Sequence, residues 1–137
     1  MAGGWAAPTV GDIVWCRFPE LPATRPGPKP RPALVTIVDS RTDGIIVRVA
    51  YGTSQRVTRL LAGEFSILQS RDREAYALAG LSYDTKFDFK ASVDLPWTDR
   101  FFAVAPRARY GQTPKLGTLH PSMMRAARAA HAAAGSG

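Results

Sequence analysis

Arg31 stands between two prolines at the mouth of an apolar run, Pro30-Arg31-Pro32-Ala33-Leu34-Val35. Pro30 has its φ locked, and Pro32 drives Arg31 into the extended region, so the guanidinium is carried on backbone with few alternative conformations. A guanidinium is planar, permanently charged and fork-shaped, and it matches the oxygens of a phosphate better than an ammonium does. Further along, Gly52-Thr53-Ser54-Gln55 sets two hydroxyls beside a glycine. An arginine and hydroxyls converging in basic surroundings can hold a phosphodiester, with the arginine neutralising charge that grows on the phosphorus oxygens. The same residues also suit a structural role, in which Thr53 and Ser54 bond to their own turn and the Arg31 stem covers apolar surface.

Whether these groups meet depends on the strands between them. Ala33–Asp39 and Ile45–Tyr51 read as two strands joined across residues 40–44, where Asp43-Gly44 is a strong hairpin signal. A loop of residues 41–44 pairs Ser40 with Ile45 and sets Arg31 opposite Ser54, whereas a loop of 40–44 sets Arg31 opposite Thr53. Either register brings the arginine to a hydroxyl, since directly opposed residues have Cβ atoms about 5 Å apart. Strict alternation from Val47 and Val49 turns Thr53 inward. Gly52 can break that alternation and free Thr53 or Ser54 to face the mouth.

The rest of the chain supplies a frame. Gly11–Phe18 reads as a strand opened by a turn, and prolines 19, 22, 26, 28, 30 and 32 make the next segment a long, stiff surface loop. Glu64–Leu68, Thr85–Lys90 and Ser92–Trp97 read as further strands, with Pro96 interrupting the last. Asp72–Ala79 predicts a short helix stopped at Gly80. A C-terminal helix over 121–134 follows from its alanines, with Pro121 in the first turn, and it is expected to cover the barrel rather than to make a dimer contact. Many short strands with Pro/Gly-rich connections predict a mainly β protein: a small barrel of antiparallel strands with a short mid-chain helix and a C-terminal helix. One domain over 11–134 is expected, with a flexible stretch at 1–10 and a disordered tail at 135–137.

Composition narrows the partners. The 137 residues carry 18 Lys+Arg against 11 Asp+Glu, a formal charge of +7 that attracts phosphate backbones or acidic protein segments. The excess is uneven: from Arg100 onward there are six basic residues and no acidic ones. Cys16 is the only cysteine, so no intrachain disulfide can form, and within an apolar strand it is expected to act as a small hydrophobe. The N-terminal residues lack a signal-peptide pattern and no stretch is long and apolar enough to span a bilayer, which predicts a cytoplasmic protein without a membrane partner. His120 and His131 lie apart from any thiol or carboxylate cluster, so neither a metal nor another cofactor is expected. Walker-type loops, dinucleotide-binding glycine fingerprints and nucleophile elbows are absent from the sequence.

Three segments together resemble the MazF/PemK toxins of bacterial type II toxin–antitoxin systems. They are Gly11-Asp12-Ile13-Val14-Trp15, Arg31-Pro32-Ala33-Leu34-Val35 and Ala50-Tyr51-Gly52-Thr53-Ser54-Gln55, in the order and approximate spacing of that family. Thr85–Lys90 and Leu119–Ser122 are similar to a PemK-like branch. The resemblance implies a homodimeric, SH3-like barrel that cleaves single-stranded RNA at short sequences without a metal. It also implies an acidic cognate antitoxin that blocks the RNA groove. By motif position Arg31 and Thr53 correspond to the family's catalytic arginine and threonine, the first stabilising charge and the second orienting the 2′-hydroxyl or the scissile phosphate. An arginine holds its proton too tightly to be a ready general base, which leaves Ser54, Asp84 and Asp88 as candidate catalytic or orienting groups. Arg17, Lys29, Gln55, Arg56 and Lys86 are expected to contact RNA. The alternative is a non-catalytic protein on the same fold that binds nucleic acid or an antitoxin, or a CcdB-like poison of DNA gyrase.

Overall fold

The structure, a computed structural model, describes residues 4–135; the expected disorder at 1–3 and 136–137 lies outside the described residues. Six antiparallel strands, β1 (Asp12–Cys16), β2 (Arg31–Arg41), β3 (Gly44–Thr53), β4 (Glu64–Ile67), β5 (Thr85–Pro96) and β6 (Lys115–Thr118), form one sheet in the order β4-β5-β3-β2-β1-β6. Two helices are added, α1 (Arg73–Leu78) and α2 (Met124–Gly135), the second entered through a single 3₁₀ turn at Pro121–Met123. Among the described residues no ladder joins β4 to β6, so the expected barrel is corrected to an open sheet. None of the described helices is long and apolar enough to cross a membrane.

Alternation along the central strands feeds two cores rather than one. Ile13, Leu34, Ala50, Phe65, Ile67 and Phe87 pack with Ala75, Ala79, Met123, Ala127 and Ala130 of the helical segments. Val14, Ala33, Val35, Val47 and Val49 point the other way and pack with Leu95, Trp97, Phe101 and Phe102. A sheet covered on both faces needs apolar residues at successive positions, which Ile13-Val14 and Ala33-Leu34-Val35 supply. α2 therefore acts as a cover, since its inward Ala127 and Ala130 join the core beside Phe65 and Ile67 of β4.

The chain departs from the sequence reading at four places. β5 is continuous where two strands were expected, because residues 89–91 bulge out between the pairs Tyr51↔Asp88 and Ala50↔Ser92. β6 was not anticipated; Lys115–Thr118 is too short to show a period, and it forms by pairing with β1. The stretch 4–10, expected to be flexible, lies against the sheet. Trp5 meets Trp97 edge-on at 5.7 Å, and the Trp97 indole N–H donates to the Ala6 carbonyl at 3.1 Å. Gly135 closes α2 instead of belonging to a tail.

Cys16 is fully buried in the second core, and that burial pushes its thiol pKa well above the ordinary cysteine value. Reaction with DTNB is thus expected to be negligible in the native protein at neutral pH and to reach one thiol per chain in guanidinium chloride. Rapid labelling of the native protein would show that this core opens.

Candidate active site

The hairpin brings Arg31 to Thr53 by a route that combines the two registers considered from sequence. Ser40 pairs with Ile45, and Arg41 pairs with Gly44. A bulge at Thr36 then absorbs one residue of β2, so Ala33 lies opposite Tyr51 and continuation of that register sets Arg31 level with Thr53. Gly52 allows the strands to approach here. A Cβ at Gly52 would collide with the Pro32 carbonyl oxygen and would come within 2.9 Å of the buried Phe87 ring.

Arg31, Thr53 and Ser54 line one cavity of about 480 Å³ at the end of the sheet. Trp15 of β1, Thr85 of β5 and Leu116 of β6 complete its strand-derived walls, and the segments 80–83 and 105–107 form its rim. No carboxylate is among its lining residues. The segment 80–83 is fixed at its start, because Gly80 ends the α1 region at φ +68° and lies so close to β6 that a Cβ would collide with the Leu116 carbonyl. A second cavity of about 350 Å³, lined by Phe18, Glu20, Lys29 and Tyr51 among others, also has Arg31 in its wall. Leu81 and Leu116 of the first cavity belong with the helix-side core, whereas Phe18 and Tyr51 of the second belong with the opposite core. Arg31 therefore separates two recesses at the sheet end.

The two principal side chains are held differently. Thr53 is only 9% exposed, and its Oγ1 accepts the Gln55 N–H at 3.1 Å. The turn-capping role foreseen for this threonine is thus present, and its hydroxyl hydrogen still has to be donated elsewhere. Arg31 is half-buried and meets no carboxylate among the described residues. A cation in no ion pair is available to an incoming anion.

Several other expected site residues lie elsewhere. Lys86 is a correction. It is 7% exposed, and its ammonium donates to Glu64 Oε1 at 3.0 Å and to the Arg59 carbonyl at 3.2 Å, so its charge is already satisfied inside the fold. Asp84 and Asp88 line neither cavity. Asp84 Oδ1 accepts the Gln69 N–H at 2.7 Å and ties two loops together, and Asp88 Oδ1 accepts the Lys90 N–H at 2.9 Å within the β5 bulge. Arg17 and Arg56 also line neither recess, although Arg56 is exposed at the end of the Thr53 turn with φ 51°. Lys29 lines the second cavity, and Gln55 contributes its backbone N–H to Thr53. The histidines have structural work: His120 Nδ1 accepts the Ser122 N–H at 3.0 Å, capping the turn into α2, and His131 meets Phe89 edge-on at 5.1 Å.

Three lining residues were not singled out from sequence. Glu20 sits in the proline-rich loop, Tyr83 in the short segment before β5, and Arg107 in the acid-free C-terminal third. Only Arg107 had a legible signal, the local charge imbalance. No protein-family model matches the chain and none of the curated proteins matches it, so the reading of this site rests on its own residues.

The Gly52 contact can be checked directly. Gly52→Ala is expected to destabilise the fold by about 1–3 kcal/mol or more through overpacking, seen as a lower midpoint of chemical unfolding. An unchanged midpoint would mean that β2 and β3 can separate at this point without cost.

Proposed function

We propose that this chain is the toxin of a type II toxin–antitoxin system, a sequence-specific endoribonuclease that cleaves single-stranded RNA, mRNA included, without a metal. The observation that carries the reading is the shared cavity of Arg31, Thr53 and Ser54, which has no carboxylate in its lining. The ordered motifs resembling MazF/PemK toxins and the charge of +7 support it. On this reading the sheet is a PemK-like variant of the SH3-like architecture. The protein acts in the bacterial cytoplasm as a homodimer, restrained by an acidic antitoxin that competes with RNA for the basic site.

In the reaction the 2′-oxygen gives up its proton and attacks the adjacent phosphorus, the bond from phosphorus to the 5′-oxygen breaks, that leaving oxygen takes a proton from water, and the products are a 2′,3′-cyclic phosphate and a 5′-hydroxyl. Arg31 binds the non-bridging oxygens and strengthens its hold as their charge grows. Thr53 and Ser54 orient the phosphate or the 2′-hydroxyl. Glu20 lines the second recess, which also has Arg31 in its wall, and on this reading it accepts the 2′-hydroxyl proton.

The purified protein should cut single-stranded RNA in the presence of a chelator. Arg31→Ala should lower the rate by about 10²-fold or more with the melting temperature unchanged, and intact RNA with the wild-type protein would defeat the reading. Glu20→Gln should lower kcat with KM little altered. A kcat equal to the wild-type value would take Glu20 out of the mechanism. A non-catalytic reading draws on the Gln55 N–H already held by Thr53. It expects RNA bound but not cut or, for a CcdB-like poison, inhibited gyrase supercoiling.

A further inference from the structure

Tyr83 has an unusual setting. It is 72% exposed, yet its neighbours Leu81 and Thr85 are buried, at 9% and 2% exposure. Its ring stacks on no other ring among the described residues, and it borders the same cavity as Arg31 and Thr53. The backbone beneath it is fixed from three sides. Gly80 is wedged against Leu116, the Thr85 hydroxyl donates to the Tyr83 carbonyl at 2.8 Å, and Asp84 takes the Gln69 N–H at 2.7 Å. A large aromatic ring held out to water by a constrained loop is pre-organised to receive a flat ligand, since little ordering remains to be done on binding. Arg107 lines the cavity as well, is exposed, and meets no carboxylate among the described residues. The cavity thus has two free guanidinium groups and an open aromatic ring, and its volume of about 480 Å³ falls in the range of small-ligand sites.

We propose that Tyr83 and Arg107 form a nucleotide subsite next to the scissile phosphate, in which the base adjoining the Arg31-bound phosphate stacks on Tyr83 while Arg107 binds the following phosphate. The substrate named here rests on the ribonuclease reading above. A single-stranded ligand suits this arrangement because its bases can leave their stack and lie on a protein ring. Stacking is tolerant of base identity, so Tyr83 contributes affinity and position along the strand more than sequence choice.

Binding of a randomised 2′-O-methyl RNA pool, which lacks the attacking hydroxyl, separates this subsite from the chemistry. Tyr83→Ala is expected to weaken binding about five-fold or more, while Tyr83→Phe retains the wild-type affinity. Arg107→Ala should reduce the dependence of log affinity on log salt by about 0.7. Both residues are exposed, so melting temperatures should stay at the wild-type value. If the Tyr83 variants bind alike and the salt slope of Arg107→Ala is unaltered, the subsite is overturned, even if the wild type cleaves RNA. If the wild type binds the pool through Tyr83 and Arg107 but leaves unmodified RNA intact, the subsite stands and the ribonuclease reading falls. No binding of the pool by the wild type overturns the subsite.

Discussion

The approach of the Pro32 carbonyl to Gly52 is the contact on which the rest of this site depends. β2 and β3 cannot reach this separation with any side chain larger than hydrogen at residue 52, because a Cβ would meet both a carbonyl oxygen and the Phe87 ring. Phe87 is itself fully buried and anchors β5 to β3 by pairing with Gly52. The glycine thus lets three strands converge beside Arg31 and Thr53. With backbone packed on backbone, Arg31 gains a fixed neighbour rather than a mobile one.

Covering the sheet on both faces has a functional consequence. A sheet with one wet face would leave Arg31 at the edge of a flat surface. Here two cores build walls on opposite sides of the sheet end, Leu81 and Leu116 on one and Phe18 and Tyr51 on the other, and Arg31 stands between the recesses. Strand addition alone does not produce this shape. It needs α1 to end at Gly80 against β6, and it needs the proline-rich loop to fold back so that the Gly27 N–H reaches the Arg17 carbonyl at 3.0 Å.

Several carboxylates are engaged within the fold, while the two arginines of the cavity form no ion pair among the described residues. Glu64 is paired with Lys86, Asp94 with Arg48, and Asp72 with Arg71, while Asp84 and Asp88 accept backbone N–H groups. The Arg48 guanidinium holds the Asp94 carboxyl below the usual carboxylate range. Burial acts in the opposite sense on Asp72, but its bonds to Arg71 and to the Leu68 N–H outweigh it and lower its pKa as well. Asp94 and Asp72 therefore stay ionised and engaged at neutral pH. Arg31 and Arg107 have no such partners among the described residues, and both line the same cavity.

The sequence by itself determined the local features. Asp43-Gly44 set the hairpin, Gly80 stopped α1, the alanines made α2, and the prolines around Arg31 fixed an extended arginine near the hydroxyls of Thr53 and Ser54. Each of these follows from φ/ψ preferences or from a period visible within a few residues. Only the tertiary structure decided which of two registers holds, because the bulge at Thr36 has no glycine or other marker and arises where β2 must accommodate β3. It also decided that the sheet stays open, that Lys86 is buried against Glu64, and that Asp84 and Asp88 accept backbone N–H groups instead of lining the cavity. Tyr83 and Arg107 line the cavity for the same reason. They are separated from Arg31 by long stretches of chain, and only the packing of α1 on β6 and the course of the 105–107 segment bring them to the same recess.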